Sequence, residues 1–223
     1  MGQQRLAILQ LCDSLFPVGS FAHSDGLETA VADGRVAASA DLRDWMTTVL
    51  DVALRGAEAP AVRDGFAAAL RGDHATLARI DAEVDAMRPS AAGREATRTM
   101  GTRLLRTWQQ IRPSSITEAV LAARQRCTFP VAFAVVCAAS GIERAESIEA
   151  YCYTRLAATV SAAMRLMKIG QHESHALLAD MLGGVPRCVD DVLNDAAPPH
   201  AFMPMMDIAT MSHQFVHSRL FRS

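Results

Sequence analysis

Apolar residues recur three and four positions apart along the chain, and no stretch alternates convincingly with a period of two. That periodicity leaves helices as the available element, because a half-buried strand needs alternation. Composition points the same way. Half of the 223 residues are hydrophobic, yet aromatics make up only 5% and alanine is abundant, a mix suited to closely packed helices rather than to a β-sandwich. Without a sheet, the apolar helix stripes must bury on one another. The chain is expected to form one all-α domain over residues 1–223, a bundle of about ten helices with no sheet.

Pro, Gly and capping residues set the expected boundaries. A short helix fits Arg5 to Ser14, ended by Pro17 and Gly19. Ser24 is placed to cap a helix over Asp25–Ala32, with Asp25 and Glu28 favouring its positive end. Asp41 caps Leu42 to Gly56, Pro60 opens a separate helix to Arg71, and Asp73–Met87 follows the Gly72 break. Next come Ala92–Ile111, a helix from Ser114 or Ser115 towards Arg126, and an apolar helix from Pro130 closed by Gly141. The longest helix spans Ala145 to Lys168, followed by Gln171–Leu182 and Pro186–Asn194. Ala197 to Met206, APPHAFMPMM, is expected to be an irregular connector before a tail of residues 207–223. Gly101, inside the helical pattern TRTMGTRLLRTW, marks a close crossing.

Several function classes are disfavoured. The net charge is −2 and the basic residues are scattered among the acids, whereas nucleic-acid binding needs a concentrated basic face. The longest apolar stretch, Phe129 to Ile142, is shorter than the roughly 20 residues of a membrane span. The N-terminus lacks the pattern of a secretory leader. Five widely spaced cysteines without a CxxC are expected to be reduced, mostly buried thiols in a cytoplasmic protein.

Catalytic signals are weak. His213 and His217 would share a helix face, but Gln214 stands where a metalloprotease needs Glu, and no third ligand is indicated. His172 and His175 fit an exposed polar face. G-x-S-x-G, P-loop and dinucleotide fingerprints are absent. Arg155, Arg165 and Lys168 fit a solvated face whose stems lie over the core. Leu220 and Phe221 lie between Arg219 and Arg222 at the chain end. Such an apolar, basic end either docks on its own domain or folds against a partner.

FPVGSFAHSDGLETAVADGRV (Phe16 to Val36) resembles the opening motif of the urease accessory protein UreF family, matching at Pro17, Gly19, Phe21, His23, Ser24, Gly26, Leu27 and Glu28. Ala96–Arg106, Phe129–Ile142, Tyr151–Leu178 and the closing MSHQFVHSRLFRS are similar to later family segments, in order. Departures fall at Thr97, at Cys127-Thr128-Phe129, at Ala134, and at Ser212 and Gln214 around His213. The resemblance implies an all-α, homodimeric protein that is not a catalyst and holds no tightly bound cofactor, with nickel at most in transit. It implies that the protein joins UreD (also called UreH), recruits the GTPase UreG and serves delivery of nickel to urease apoprotein. The partner-binding residues it implies are Pro17, Gly19, Phe21, His23, Ser24, Glu28, Lys168, Gln171, His213, Arg219, Leu220, Phe221, Arg222 and Ser223. His23 would assist nickel passage, and Arg219, Leu220, Phe221 and Arg222 would form a segment that folds on binding the partner. Two readings stand beside it: a metal-dependent hydrolase using the His pairs, and a helical interaction scaffold with no urease link.

Overall fold

The computed structural model describes residues 2–124, 126–195 and 197–222. These form helices and turns, with no strand among the described residues. The order is α1 (Gly2–Leu11), a 3₁₀ turn (Ser20–Ala22), α2 (Leu27–Ala32), α3 (Ser39–Thr48), a π-helical segment (Val49–Glu58) and α4 (Ala59–Arg71). There follow α5 (His74–Ala86), α6 (Ala91–Ile111), α7 (Ser115–Ala123), α8 (Phe129–Ala139) and α9 (Arg144–Leu166). The chain closes with α10 (Gln171–Leu182), α11 (Val185–Asn194), α12 (Pro204–Ser212) and a 3₁₀ turn (His213–Phe215).

The apolar helix α8 is the axis of the bundle. Every residue from Phe129 to Ala138 is buried, as a helix apolar on all sides requires. α4 and α6 flank it, with α7 and α9 also packed on it. Its N-terminus is held by Asp81 of α5: the Thr128 amide and hydroxyl donate to Asp81 Oδ1 at 2.7 and 2.6 Å, and the Phe129 amide donates to Thr97 Oγ1 at 3.1 Å. A carboxylate there also complements the positive helix end. Gly101 is confirmed as a close crossing, against backbone: a Cβ would collide with the Cys127 carbonyl oxygen and the Thr128 carbonyl group. Beside α8, a Cβ on Gly65 of α4 would press on that of Ala134 at 3.2 Å. The glycine that the resemblance leads one to expect at position 134 has its counterpart in Gly65 of the facing helix.

α1 covers Gly2–Leu11 rather than Arg5 to Ser14, and the boundaries at Pro60 and Pro204 also differ from expectation. Gly56 and Pro60 do not separate two helices; the chain winds continuously from Ser39 to Arg71 through the π segment. Pro60 cannot donate to the Gly56 carbonyl four residues back, and its ring would clash with it in a regular α-helix. The wider turn relieves the clash, and the His200 amide donates to the Gly56 carbonyl at 2.8 Å. The connector over 197–206 ends early, because Pro204 begins α12, a position where its fixed φ and missing N–H suit a helix start.

Candidate functional site

The opening motif is pinned first by Phe16, whose ring packs on Trp108 with centroids 5.7 Å apart. The 3₁₀ turn then presents Phe21 outward, 61% exposed. Asp25 and Gly26 are both left-handed, with φ of 53° and 89°, so α2 begins at Leu27 rather than Asp25. Ser24 is not the expected N-cap. It is buried two residues earlier, and its hydroxyl accepts from the Glu28 amide at 3.4 Å. Gly26 also has no room for a side chain, since a Cβ would approach the Thr210 amide of α12 at 3.1 Å. A left-handed Asp is strained; here the turn aims its carboxylate at two arginines.

Those arginines form a cluster with two acids, closed to water except at Asp25, whose side chain is 35% exposed. Arg155 of α9 pairs with Asp25 and donates from Nε to Glu58 Oε2 at 2.9 Å. Arg88 pairs with Glu58 Oε1 at 2.6 Å and Asp25 at 3.4 Å. The Tyr151 hydroxyl donates to Glu58 Oε2 at 2.7 Å. Burial opposes ionisation of Asp25, but Arg155 and Arg88 hold its carboxyl well below the ordinary range. Burial, then Glu58, pushes the Tyr151 phenol up. Arg155 therefore does not lie on a solvated face: two positive and two negative groups close on one another.

Glu28 gathers the other end of the chain. Its carboxylate lies 2.7 Å from His213 Nε2 and accepts the backbone amides of Leu220 at 2.5 Å and Phe221 at 3.2 Å. The Arg222 amide donates to the Ala22 carbonyl at 2.8 Å. Arg165 donates to the Phe21 carbonyl at 2.7 Å. Its guanidinium lies 4.0 Å from the Phe21 ring centre and 4.2 Å from that of Phe221, a doubled cation–π contact. The tail is thus already docked on its own domain, and does not wait for a partner to order it as the resemblance implied, because the Glu28 carboxylate and Arg165 supply its contacts within the chain.

Among the expected partner residues, Ser24, Glu28, His213 and Phe221 are buried and shape the surface from within. Pro17, Phe21, Arg219, Leu220 and Arg222 stand exposed around them. Gly19 and His23 are half-buried, and Ser223 lies outside the described residues. Lys168 is exposed just beyond the end of α9, and Gln171 is exposed at the first position of α10. A groove of about 940 Å³ runs from the clasp between α1 and α9, walled by Leu9, Phe21, His23 and Arg165 and floored by Ala157, Ala158 and Ser161. Burial pushes the His23 imidazole down; Asp25 opposes this, and Arg222, Arg103 and His213 add to it.

The histidine pairs do not converge. His213 is buried on Glu28 while His217 is exposed beyond the final turn, and His172 and His175 lie exposed on α10. Among the described residues no group of three His, Cys, Asp or Glu side chains is placed to hold a metal ion. No described helix is long and apolar enough to cross a membrane. The sequence reading missed a second surface: Met205, Ile208 and Met211 of α12, with Phe202 and Phe215, form an exposed apolar stripe. Their spacing of three was the available signal, masked by the prolines around them.

The UreF family model matches residues 36–182. A urease accessory protein UreF from Azoarcus sp. (strain BH72) is 34% identical, covering 98% of this chain and 95% of the relative. One from Ralstonia pickettii (strain 12J) is also 34% identical, covering 99% and 98%. A bifunctional urease accessory protein UreEF from Bordetella bronchiseptica is 31% identical, covering 99% of this chain and 52% of the relative. On these grounds the chain belongs to the UreF family of urease accessory proteins, an accessory rather than an enzymatic family.

Proposed function

We propose that this chain is a cytoplasmic scaffold for nickel insertion into urease, binding a UreD/UreH-type protein and recruiting a UreG-type GTPase to the urease apoprotein. The observation that carries this reading is the Glu28 clasp, which joins the first and last family motifs in one surface beside the groove. Exposed Phe21 and Leu220, flanked by Arg219 and Arg222, give that surface the aromatic and arginine character of interface hot spots. Nickel is cargo here. His23, on the groove wall, is the imidazole best placed to meet it in passage. A homodimer forms, in this reading, across the outer stripe of α12, whose inner residues Met206 and Ala209 are already buried.

Three measurements test the proposal. Deleting residues 218–223, or changing Leu220→Asp, is expected to abolish capture of UreD/UreH-type protein while leaving the helical circular dichroism unchanged. Ile208→Glu is expected to convert a dimer to a monomer in sedimentation. Urease activation by the truncated chain at the full rate would falsify the docking assignment.

A further inference from the structure

Arginines from three parts of the chain meet at the 3₁₀ turn of the opening motif. From α6, Arg103 lies across Gly19, where an added Cβ would come within 2.8 Å of its Nη1. From α9, Arg165 donates to the Phe21 carbonyl and is gripped between the Phe21 and Phe221 rings. From the tail, the Arg222 amide donates to the Ala22 carbonyl, and Arg219 precedes Leu220, whose amide is held by Glu28. Arg103, Arg219 and Arg222 are exposed, as are Phe21 at 61% and Leu220 at 54%. Among the described residues none of these four guanidiniums makes an ion pair, whereas Arg88 and Arg155 each meet two carboxylates.

The acids near this face are turned away from it. Asp25 meets Arg88 and Arg155, and Glu28 is buried on His213 and the tail amides. Asp13, Glu146 and Glu149 belong to the other end of the groove. Cys12, next to Asp13, donates to the Ala150 carbonyl at 3.7 Å, and Ala150 lies about 22 Å before Arg165 along α9. We propose, on the docking reading above, that this face recognises an acidic segment of the protein partner. An apolar side chain of that segment sits on Phe21 and Leu220, its carboxylates reach the surrounding arginines, and Arg103 of α6 is one of the recognising groups.

Four positive groups with no acid between them make a local positive potential that draws an acidic chain in and speeds its docking. The planar guanidinium fork takes a carboxylate through two parallel hydrogen bonds. Gly19 leaves the space that Arg103 occupies, which gives the glycine of the opening motif a part in the charge pattern as well as in the turn. A protein segment fits better than a nucleic acid, because the centre of the face is apolar and the chain as a whole carries a net charge of −2.

The experiment follows association of the full-length chain with a UreD/UreH-type protein. Raising salt from about 50 to about 500 mM is expected to slow association roughly tenfold. Arg103→Glu combined with Arg222→Glu is expected to slow it about tenfold or more at the lower salt and to flatten the salt dependence, with unchanged hydrogen exchange at the Leu220 and Phe221 amides. Should the reversals disturb that exchange, Arg103→Gln carries the test, with about a threefold loss expected. Arg103→Lys keeps the charge and adds an amine to a chain whose one lysine is Lys168; a carbodiimide is expected to join that amine to an Asp or Glu of the bound partner. Association indifferent to salt and to these variants, while Leu220→Asp abolishes capture, would overturn the acidic partner and leave the docking reading standing. Capture that also survives Leu220→Asp would overturn both. Binding of a duplex oligonucleotide near physiological salt, lost on charge reversal, would overturn the assignment to a protein.

Discussion

Glu58→Gln probes the buried charge cluster with a change of shape close to zero. Asp25 and Glu58 balance Arg88 and Arg155, so removing one negative charge leaves the cluster at +1. Glu58 is 8% exposed at its side chain, against 14% for Arg155 and 19% for Arg88, so water restores little of the loss. Breaking a buried ion pair costs about 3–5 kcal/mol. The lower end applies, because Asp25 still lies between the two arginines and the amide oxygen still accepts from Tyr151 or Arg155. At 2–4 °C per kcal/mol for a chain of this size, about 3 kcal/mol lowers Tm by roughly 6–12 °C. Tyr151→Phe removes only a hydroxyl donor and should cost about 1 kcal/mol. Calorimetry at pH 7 and low protein concentration measures both. A Glu58→Gln shift below about 2 °C, or one no larger than that of Tyr151→Phe, would refute the view that charge balance holds these helices together.

Gly101→Ala should lower stability by about 2–3 kcal/mol in urea titrations, despite alanine's helix propensity, because the added methyl meets the Cys127–Thr128 backbone rather than a yielding side chain. Asp25 has a depressed folded pKa. Its stabilisation is therefore fully present above the unfolded value near 4 and is lost as pH falls below it. Asp25→Asn should unfold at a lower temperature at pH 7 yet lose less between pH 5 and pH 2 than the parent chain; parallel acid profiles would contradict this. Glu28→Gln should weaken the tail clasp by about 2 kcal/mol, raising hydrogen exchange at the Leu220 and Phe221 amides by roughly thirtyfold. Unchanged exchange at those amides would show that Glu28 does not hold the tail.

Local signals carried the helices that depend on local chemistry. Phe129–Ala139 was legible because a run apolar on every side has only the centre of the bundle available, and Gly101 because a mid-helix glycine needs a reason. Features built by distant partners were not legible. Arg155 looked solvated because its acids lie 97 and 130 residues away. Asp25 looked like a helix-start residue because its left-handed turn follows from those same arginines. Pro60 looked like a boundary because the π turn that absorbs it has no marker of its own. The site was half legible. Its two motifs stood out at opposite ends, while their union through Glu28 required the fold.

That union also sets a clock. Glu28 and Leu220 are separated by 192 positions, so at ribosomal speeds of about 5–20 residues per second the carboxylate waits on the order of 10–40 s for its backbone donors. A nascent or prematurely terminated polypeptide can fold α8 and its neighbours but cannot assemble the clasped face. The proposed docking surface is therefore missing from any polypeptide that stops short of Leu220.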